Sequence, residues 1–429
     1  MRILLIVLVI SFLLLIIIGV PIAFAMGASS LFGLFADGGL GLALITQRMF
    51  TGINSFALLA IPLFVLAGSI MEHGGISRRL VNFSNSIVGY ISGGLGLSTV
   101  LTSIVFAGVS GSAAADTAAV GSVMMPAMKK KGYPTGLAAT ILACAGSLGP
   151  IIPPSLTMIL YAVITNVSIV GLFISGVIPG LLMGLGLMIL TYYFGRKYNL
   201  KEEGKPSFKE IGKATLDAVW ALIMPLIVLG GIVLGYFTAT EAGVIAVVYA
   251  LILSLFVYKE LDMKGLYKVF VESAATTSMI ALIIAGAGIL GWLVAFGKLP
   301  LMVVDFLTSI TENPTVLLLL IVVFIVFLGM FIETIAATII LAPILAPLVT
   351  TIGYDPIYFG FVIVASLVFA GITPPVGAIL NIAIGIGKGK LKDAIPYVIP
   401  YFLVMLFVVV LVVLLPSLAT YLPSVLLVE

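Results

Sequence analysis

Residues 104–155 read IVFAGVSGSAAADTAAVGSVMMPAMKKKGYPTGLAATILACAGSLGPIIPPS, and this stretch decides the fold. Two apolar segments are each cut in the middle by residues that a helix tolerates poorly. The first cut is Val109–Ser110–Gly111–Ser112, where small residues let the backbone turn and approach an ion closely. The second runs from Gly146 to Ser155 and holds Pro150, Pro153 and Pro154. Proline removes an amide donor and clashes with the preceding turn, so the helix unwinds there and frees carbonyl oxygens. Lys129, Lys130 and Lys131 separate the two cuts.

The pattern returns at an offset of 221 residues, since Ile104–Val105–Phe106–x–Gly108 recurs as Ile325–Val326–Phe327–x–Gly329. Pro126 matches Pro347, Gly132–Tyr133 matches Gly353–Tyr354, and Ile151–x–Pro153–Pro154 matches Ile372–x–Pro374–Pro375. Ala115 and Thr117 match Ala336 and Thr338. Upstream, Gly74 and Phe83 match Gly297 and Phe306 at an offset of 223. Shared apolar composition can align such segments by chance, but here scarce residues coincide, not only leucine and valine. The first copy's central element ends at Lys129–Lys131, whereas the second ends at Thr350–Thr351 near Asp355 with no basic residue. The same element therefore enters from opposite faces, an inverted repeat of the kind that builds many secondary transporters.

Outward from these stretches the chain is that of a membrane protein. Of its 429 residues 62% are hydrophobic and 9% charged, against roughly 25% charged in soluble domains. No Asp, Glu, Lys or Arg occurs in 3–36, 80–115, 132–195 or 394–428. A hydrocarbon core of ~30 Å needs about 20 apolar residues per helix, so 132–195 alone holds two spans. Lipid offers bare backbone groups no partner, and the expected class is an all-α polytopic membrane protein. Ten spans are expected, at 3–18, 20–36, 50–71, 134–164, 169–195, 217–237, 241–258, 273–297, 357–387 and 394–423. Two of them, 134–164 and 357–387, are broken helices, and two re-entrant hairpins at 94–131 and 315–352 are additional. Gly19–Val20–Pro21 divides the first two spans, with one long helix as the alternative. The first segment lacks a basic n-region beyond Arg2 and is followed by further apolar runs, so it is not read as a cleaved signal. Cys144 stands alone, which rules out a disulfide framework.

Lysine and arginine mark the cytoplasmic side. Threading these spans puts Arg78, Arg79, Lys129–Lys131, the Arg196–Lys213 loop, Lys259, Lys264, Lys268, Lys388, Lys390 and Lys392 on one face, and only Arg2, Arg48 and Lys298 on the other. Both termini then lie outside. The charged run in 196–216 reads as a solvated cytoplasmic linker between a first repeat, 1–195, and a second, 217–429.

Each hairpin is expected to have arms of about 13 residues, ~20 Å at 1.5 Å per residue and short of a full crossing. Asp116 and Glu333 are the acidic residues placed well inside the membrane. Intramembrane carboxylates are costly and point to function; the structural alternative is that each caps a half-helix. Carbonyl and hydroxyl oxygens at such tips and breaks suit hard cations such as sodium. Half-helix ends add partial charge at mid-membrane.

These residues carry a resemblance. Gln47–Arg48–Met49–Phe50 with Asn54–Pro62, Ser110–Asp116, Gly149–Ser155 and Gly371–Gly377 are together similar to the large membrane (M) subunit of tripartite ATP-independent periplasmic (TRAP) transporters, over essentially the whole chain. The resemblance implies an elevator-type importer in the bacterial inner membrane. A periplasmic binding (P) protein would deliver an organic acid, a small four-helix (Q) subunit would brace the chain, and sodium would drive uptake. No nucleic-acid partner is expected. It implies a first sodium site at Ser110, Ser112, Gly149, Ile152 and Pro153, the last three through carbonyls. The pseudo-symmetric second site would use Phe331, Glu333, Ala370, Gly371, Thr373 and Pro374, where Phe331 and Glu333 replace two serines. Asp116, Ser155 and Gly377 are assigned to the substrate region. Arg48 reads as an interfacial anchor, with partner docking or anion guidance as alternatives, and His73 as an interface residue near the inner surface.

A rival of related fold is a stand-alone sodium-coupled carboxylate transporter of the divalent-anion/sodium class. An intramembrane enzyme lacks support, having neither a Ser–His pairing nor a His–Glu metal motif.

Overall fold

The computed structural model describes residues 2–39, 41–200 and 207–427, with only the backbone of 2 and 350–352. Residues 201–206 of the expected linker, with Lys201 and Lys205, lie outside the described residues, as do the side chains of Arg2, Thr350 and Thr351. Among the described residues twenty α-helices follow one another and no strand occurs. The chain opens with α1 (Arg2–Ile17), α2 (Ile22–Asp37), α3 (Ala43–Ile53), α4 (Ala60–His73) and α5 (Ile76–Val88). The first tip lies between α6 (Gly94–Ser110) and α7 (Ala113–Lys130), and the first break between α8 (Thr135–Gly146) and α9 (Leu156–Thr165). Then come α10 (Ile169–Lys197), α11 (Phe208–Val233), α12 (Ala239–Ile252), α13 (Met263–Phe296) and α14 (Leu299–Ile310). The second tip separates α15 (Pro314–Gly329) from α16 (Thr334–Ile352), and the second break α17 (Pro356–Ala370) from α18 (Ala378–Gly387). The last helices are α19 (Leu391–Leu414) and α20 (Ser417–Leu426).

The helices keep an apolar core but also turn many large apolar side chains outward, unlike a soluble bundle. On α10, Gly176, Gly180 and Gly184 recur every fourth residue and are buried or half-buried against Ile151, Ile152 and Ile104, while Leu181, Leu185 and Ile189 are exposed on the opposite stripe. Small residues inward and large apolar ones outward is the pattern of helices whose solvent is lipid. Among the described residues six helices are long and apolar enough to cross a membrane: Phe56–His73, Ile169–Lys197, Phe208–Val233, Ala239–Val257, Met263–Phe296 and Leu391–Leu414.

Several boundaries differ from expectation. The span expected at 50–71 begins at Phe56, because the chain breaks at Asn54–Ser55 after α3. The span expected at 217–237 runs as α11 from Phe208, so part of the linker is helical. The last expected span divides at Leu415–Pro416 into α19 and α20. The first two spans are two helices of 16 residues each, parted at Gly19 and Pro21. The hairpin arms are longer than expected, at 17, 18, 16 and 19 residues, or ~24–29 Å. The reason for the first is Gly108, which does not turn the chain: it stays helical so that α6 can press on Pro225 of α11.

Packing divides the helices into two groups. α1–α4 pack with α11–α13, and α6–α10 pack with α15–α20. α5 links them by touching both α11 and α6, and α14 by touching both α13 and α16; the groups also meet directly where α13 touches α16, α4 touches α6 and α11 touches α6, and the α14–α15 pair is bent by 120°.

Candidate functional site

The first tip is held by its own serines. Ser112 ends α6–α7's turn in an extended conformation and caps α7, its hydroxyl accepting from the Ala115 amide at 3.5 Å. The Ser110 hydroxyl donates to Asp116 Oδ1, while Oδ2 of the same buried carboxylate has no partner among the described residues. A side chain at Gly149 would stand 2.3 Å from that Oδ2, so Asp116 is wedged between the tip and the first break. It is not a cap; the capping alternative fails for this residue.

The break is built to leave carbonyls free. Prolines 150, 153 and 154 remove amides, and Leu156 N–H leaves its own helix to donate to the Gly111 carbonyl at 3.3 Å. Ser155 donates to the Pro150 carbonyl at 2.6 Å and caps α9 by accepting from Met158 N–H. Among the described residues no donor reaches the carbonyls of Gly149, Ile151, Ile152, Pro153 or Pro154. Such a row of unpaired backbone oxygens inside a membrane protein is costly unless something cationic or wet meets it. The structure thus brings Ser110, Ser112, Gly149 and the Pro153 region together, with Asp116 among them.

The second tip is not a copy in chemistry. Glu333 caps α16, its Oε2 accepting from Ile335 N–H at 2.9 Å and Ala336 N–H at 3.2 Å, so here the capping alternative holds. The Phe331 ring is exposed and packs edge-on against Phe327, which leaves only its backbone for ligation. At the second break the Ala370 and Gly371 carbonyls are taken by Thr373 N–H and Ile379 N–H, whereas those of Thr373 and Pro374 are free among the described residues. The Thr373 hydroxyl donates to the Phe369 carbonyl at 3.3 Å. Both breaks carry a cis Pro–Pro bond, Pro153–Pro154 and Pro374–Pro375.

Both tips and both breaks line one cavity of about 130 Å³. Its walls include the first-turn residues of four helices: Ala113 and Ala114 of α7, Leu156 and Thr157 of α9, Thr334 and Ile335 of α16, and Ala378 and Ile379 of α18. Each helix start carries about half a positive elementary charge, although Ser112, Ser155 and Glu333 already accept from first-turn amides of three of them. Among the described lining residues Glu333 is the only charged side chain. Backbone partial positive charge therefore meets the Glu333 carboxylate in this cavity, with no lysine or arginine among its described lining residues.

The residues expected near substrate, Asp116, Ser155 and Gly377, do not line this cavity; Ser112, Thr157, Thr334 and Val376 do. Thr157 and Thr334 were not singled out from sequence. The signal was present, since each sits in the first turn after a serine or acidic cap.

A second cavity of about 350 Å³ lies between α3 and α13 on one side and α9 and α16 on the other, with Trp292 in its wall. The Arg48 guanidinium lies 4.9 Å from the Trp292 ring centre. His73 reaches Ser69 O at 3.0 Å and Glu272 at 3.8 Å, on the contact of α4 with α13.

Comparison with known proteins agrees with this architecture. The family model described as "Tripartite ATP-independent periplasmic transporter, DctM component" matches residues 9–418. The chain is 39% identical to the 2,3-diketo-L-gulonate TRAP transporter large permease YiaN of Escherichia coli K12, covering 89% of this chain and 91% of that one. It is 37% identical to the sialic acid TRAP transporter large permease SiaM of Vibrio cholerae, covering 86% of each. Among solved structures, the YdaH transporter of Alcanivorax borkumensis shares the fold with a TM-score of 0.57 at 17% identity, over 88% of this chain and 89% of that one.

Proposed function

The chain belongs to the DctM component family of tripartite ATP-independent periplasmic transporters, and from that premise we propose that it imports a small organic acid across the bacterial inner membrane, driven by sodium. The observation that carries this reading is the cavity between the tips: four helix starts converge on it, no basic side chain lines it among the described residues, and unpaired carbonyls stand directly behind it. An anion in the cavity and cations at the carbonyls would stabilise one another, which is the physical basis of symport. The first cation would take Ser110, Ser112, Gly149, Ile152 and Pro153, with Asp116 supplying negative charge beside it. The second would use Thr373 and Pro374 with Glu333, from the free carbonyls and the carboxylate that faces the cavity.

We read 1–195 and 217–429 as inverted repeats. The paired tips, paired breaks and shared cavity support that symmetry. So does the partner exchange in which α7 packs on α18 and α16 packs on α9. The group α6–α10 with α15–α20 would be the moving body of an elevator, and α1–α4 with α11–α13 its support. A binding protein would deliver substrate and a small subunit would brace the support, as the family's tripartite organisation suggests. Both termini would be periplasmic. The two sugar-acid permeases named above make a sugar acid the leading substrate class.

The test is reconstitution. The chain is placed in proteoliposomes with and without a small subunit and a binding protein, and uptake of labelled sugar acids and dicarboxylates is followed under an inward sodium gradient. Uptake only with all components, abolished by replacing sodium with choline, is the expected result. Uptake by the lone chain would instead favour a stand-alone sodium-coupled carboxylate transporter.

A further inference from the structure

The basic end of α10 carries a feature that transport does not use. Phe194 is buried at the centre of an aromatic group, stacked on Tyr401 at 5.9 Å and Tyr198 at 6.3 Å and edge-on to Tyr397 at 5.7 Å. Beside it a groove of about 280 Å³ opens between α10 and α19. Lys197 is on its wall and lies 5.8 Å from the Phe194 ring centre and 6.0 Å from that of Tyr198. Among the described residues no carboxylate pairs with Lys197. Its neighbour Arg196 lies 5.8 Å from the Tyr192 ring centre. Asp393 sits in the first turn of α19, one turn before Tyr397 and directly after Lys392.

The hydroxyls of Tyr198 and Tyr397 are 3.0 Å apart. One O–H serves that bond, and the second is left to donate elsewhere. A lysine ammonium and a free phenol O–H thus face one groove whose deeper wall, Leu190 and Pro400, is apolar. The groove sits where the apolar α10 gives way to the charged run that begins at Arg196, that is, at the height of lipid headgroups. We propose that it binds the phosphodiester of an anionic glycerophospholipid. One non-bridging oxygen accepts from Lys197 and the other from the phenol pair, while the glycerol and first methylenes lie on Leu190 and Pro400. The shape matches the basic pockets between helices that hold anionic headgroups, and the tyrosines match the interfacial aromatic belt. The apolar deeper wall favours a lipid over free phosphate.

The full chain is purified in detergent and offered phosphatidylglycerol or phosphatidylcholine in equal amounts, and retained lipid is read by native mass spectrometry. The parent is expected to retain phosphatidylglycerol preferentially. Lys197→Ala with Tyr397→Phe lowers that retention about tenfold, the scale of a lost charge-assisted bond, Tyr397→Phe alone lowers it less, and Lys197→Arg preserves it. Lys392→Ala, outside the groove, leaves it unchanged. Undiminished retention in both Tyr397→Phe and the double variant, an equal loss in Lys392→Ala, or displacement of the lipid by millimolar inorganic phosphate overturns the proposal. The readout is lipid retention and not uptake, so it stands or falls apart from the transport reading.

Discussion

Gly111→Ala tests whether the first tip and the first break act as one site. Gly111 has φ +64°, and a Cβ there would stand 2.6 Å from the Pro154 carbonyl oxygen and 3.2 Å from the Leu156 nitrogen. Both obstacles are backbone, so neither can swing aside. Alanine in this conformation costs about 1–2 kcal/mol. Losing the bond from Leu156 N–H to the Gly111 carbonyl costs about 0.5–1.5 kcal/mol more. A tip that relieves both must leave the break, and the apparent affinity falls with the fraction still seated. With about 1.5–3.5 kcal/mol at stake and ~1.4 kcal/mol per factor of ten, sodium half-saturation should rise roughly 10- to 300-fold. The control is Gly132→Ala, which has φ +82° and nothing within 4 Å of a Cβ. It carries the same backbone strain without the collision. The assay is the sodium dependence of uptake in proteoliposomes holding all components, with thermal unfolding in detergent to confirm that both variants fold. If Gly111→Ala shows a sodium half-saturation indistinguishable from that of Gly132→Ala, the tip and the break do not share a cation and the reasoning is wrong.

Other expectations follow from single contacts. Ser112→Ala and Thr373→Ala should each raise the sodium concentration for half-maximal uptake; unchanged curves in both would remove both cation assignments. Glu333→Gln keeps an oxygen to cap Ile335 and Ala336 N–H but loses the charge, so sodium dependence should weaken while the fold holds, and a superimposable curve would take Glu333 out of the second site. Lys129 Nζ donates to the Gly387 carbonyl at 2.9 Å, tying the end of α7 to the end of α18. Lys129→Met should therefore lower the melting temperature by the equivalent of about 1.5–3 kcal/mol, and an unshifted melting curve would show the tie to be idle. Arg79 and Arg78 share the Glu260 carboxylate at 2.7 and 3.0 Å, but Arg79 is 13% exposed and also lies over the Tyr258 ring, whereas Arg78 is 62% exposed. Arg79→Met should cost about 1–3 kcal/mol and Arg78→Met under about 1 kcal/mol; the reverse order by thermal unfolding would show that burial does not set the strength of this pair.

The breaks and tips were legible because their chemistry is local. A helix cannot continue through Pro150, Pro153 and Pro154, and Gly111 at φ +64° is a turn whatever surrounds it. The ends placed by composition alone fared worse. Gly108 looked like the start of the turn, yet it continues α6 because Pro225 of a distant helix needs the room. The hairpin arms are consequently nearly as long as a span, and their length does not argue for re-entrance. The structure adds that two tips from segments more than two hundred positions apart line one cavity. That fact is tertiary and had no sequence signature beyond the repeat itself. The same holds for the meeting of four helix starts at that cavity. Backbone there supplies partial positive charge, so a reading that looks for lysine and arginine around an anion finds only Glu333, a residue of the wrong sign. A carboxylate beside an anion site makes physical sense only if a cation arrives to screen it. If the cavity takes an anion, the acidic cap at the second tip, which first looked like a departure from symmetry, would be the residue that ties its binding to the ion.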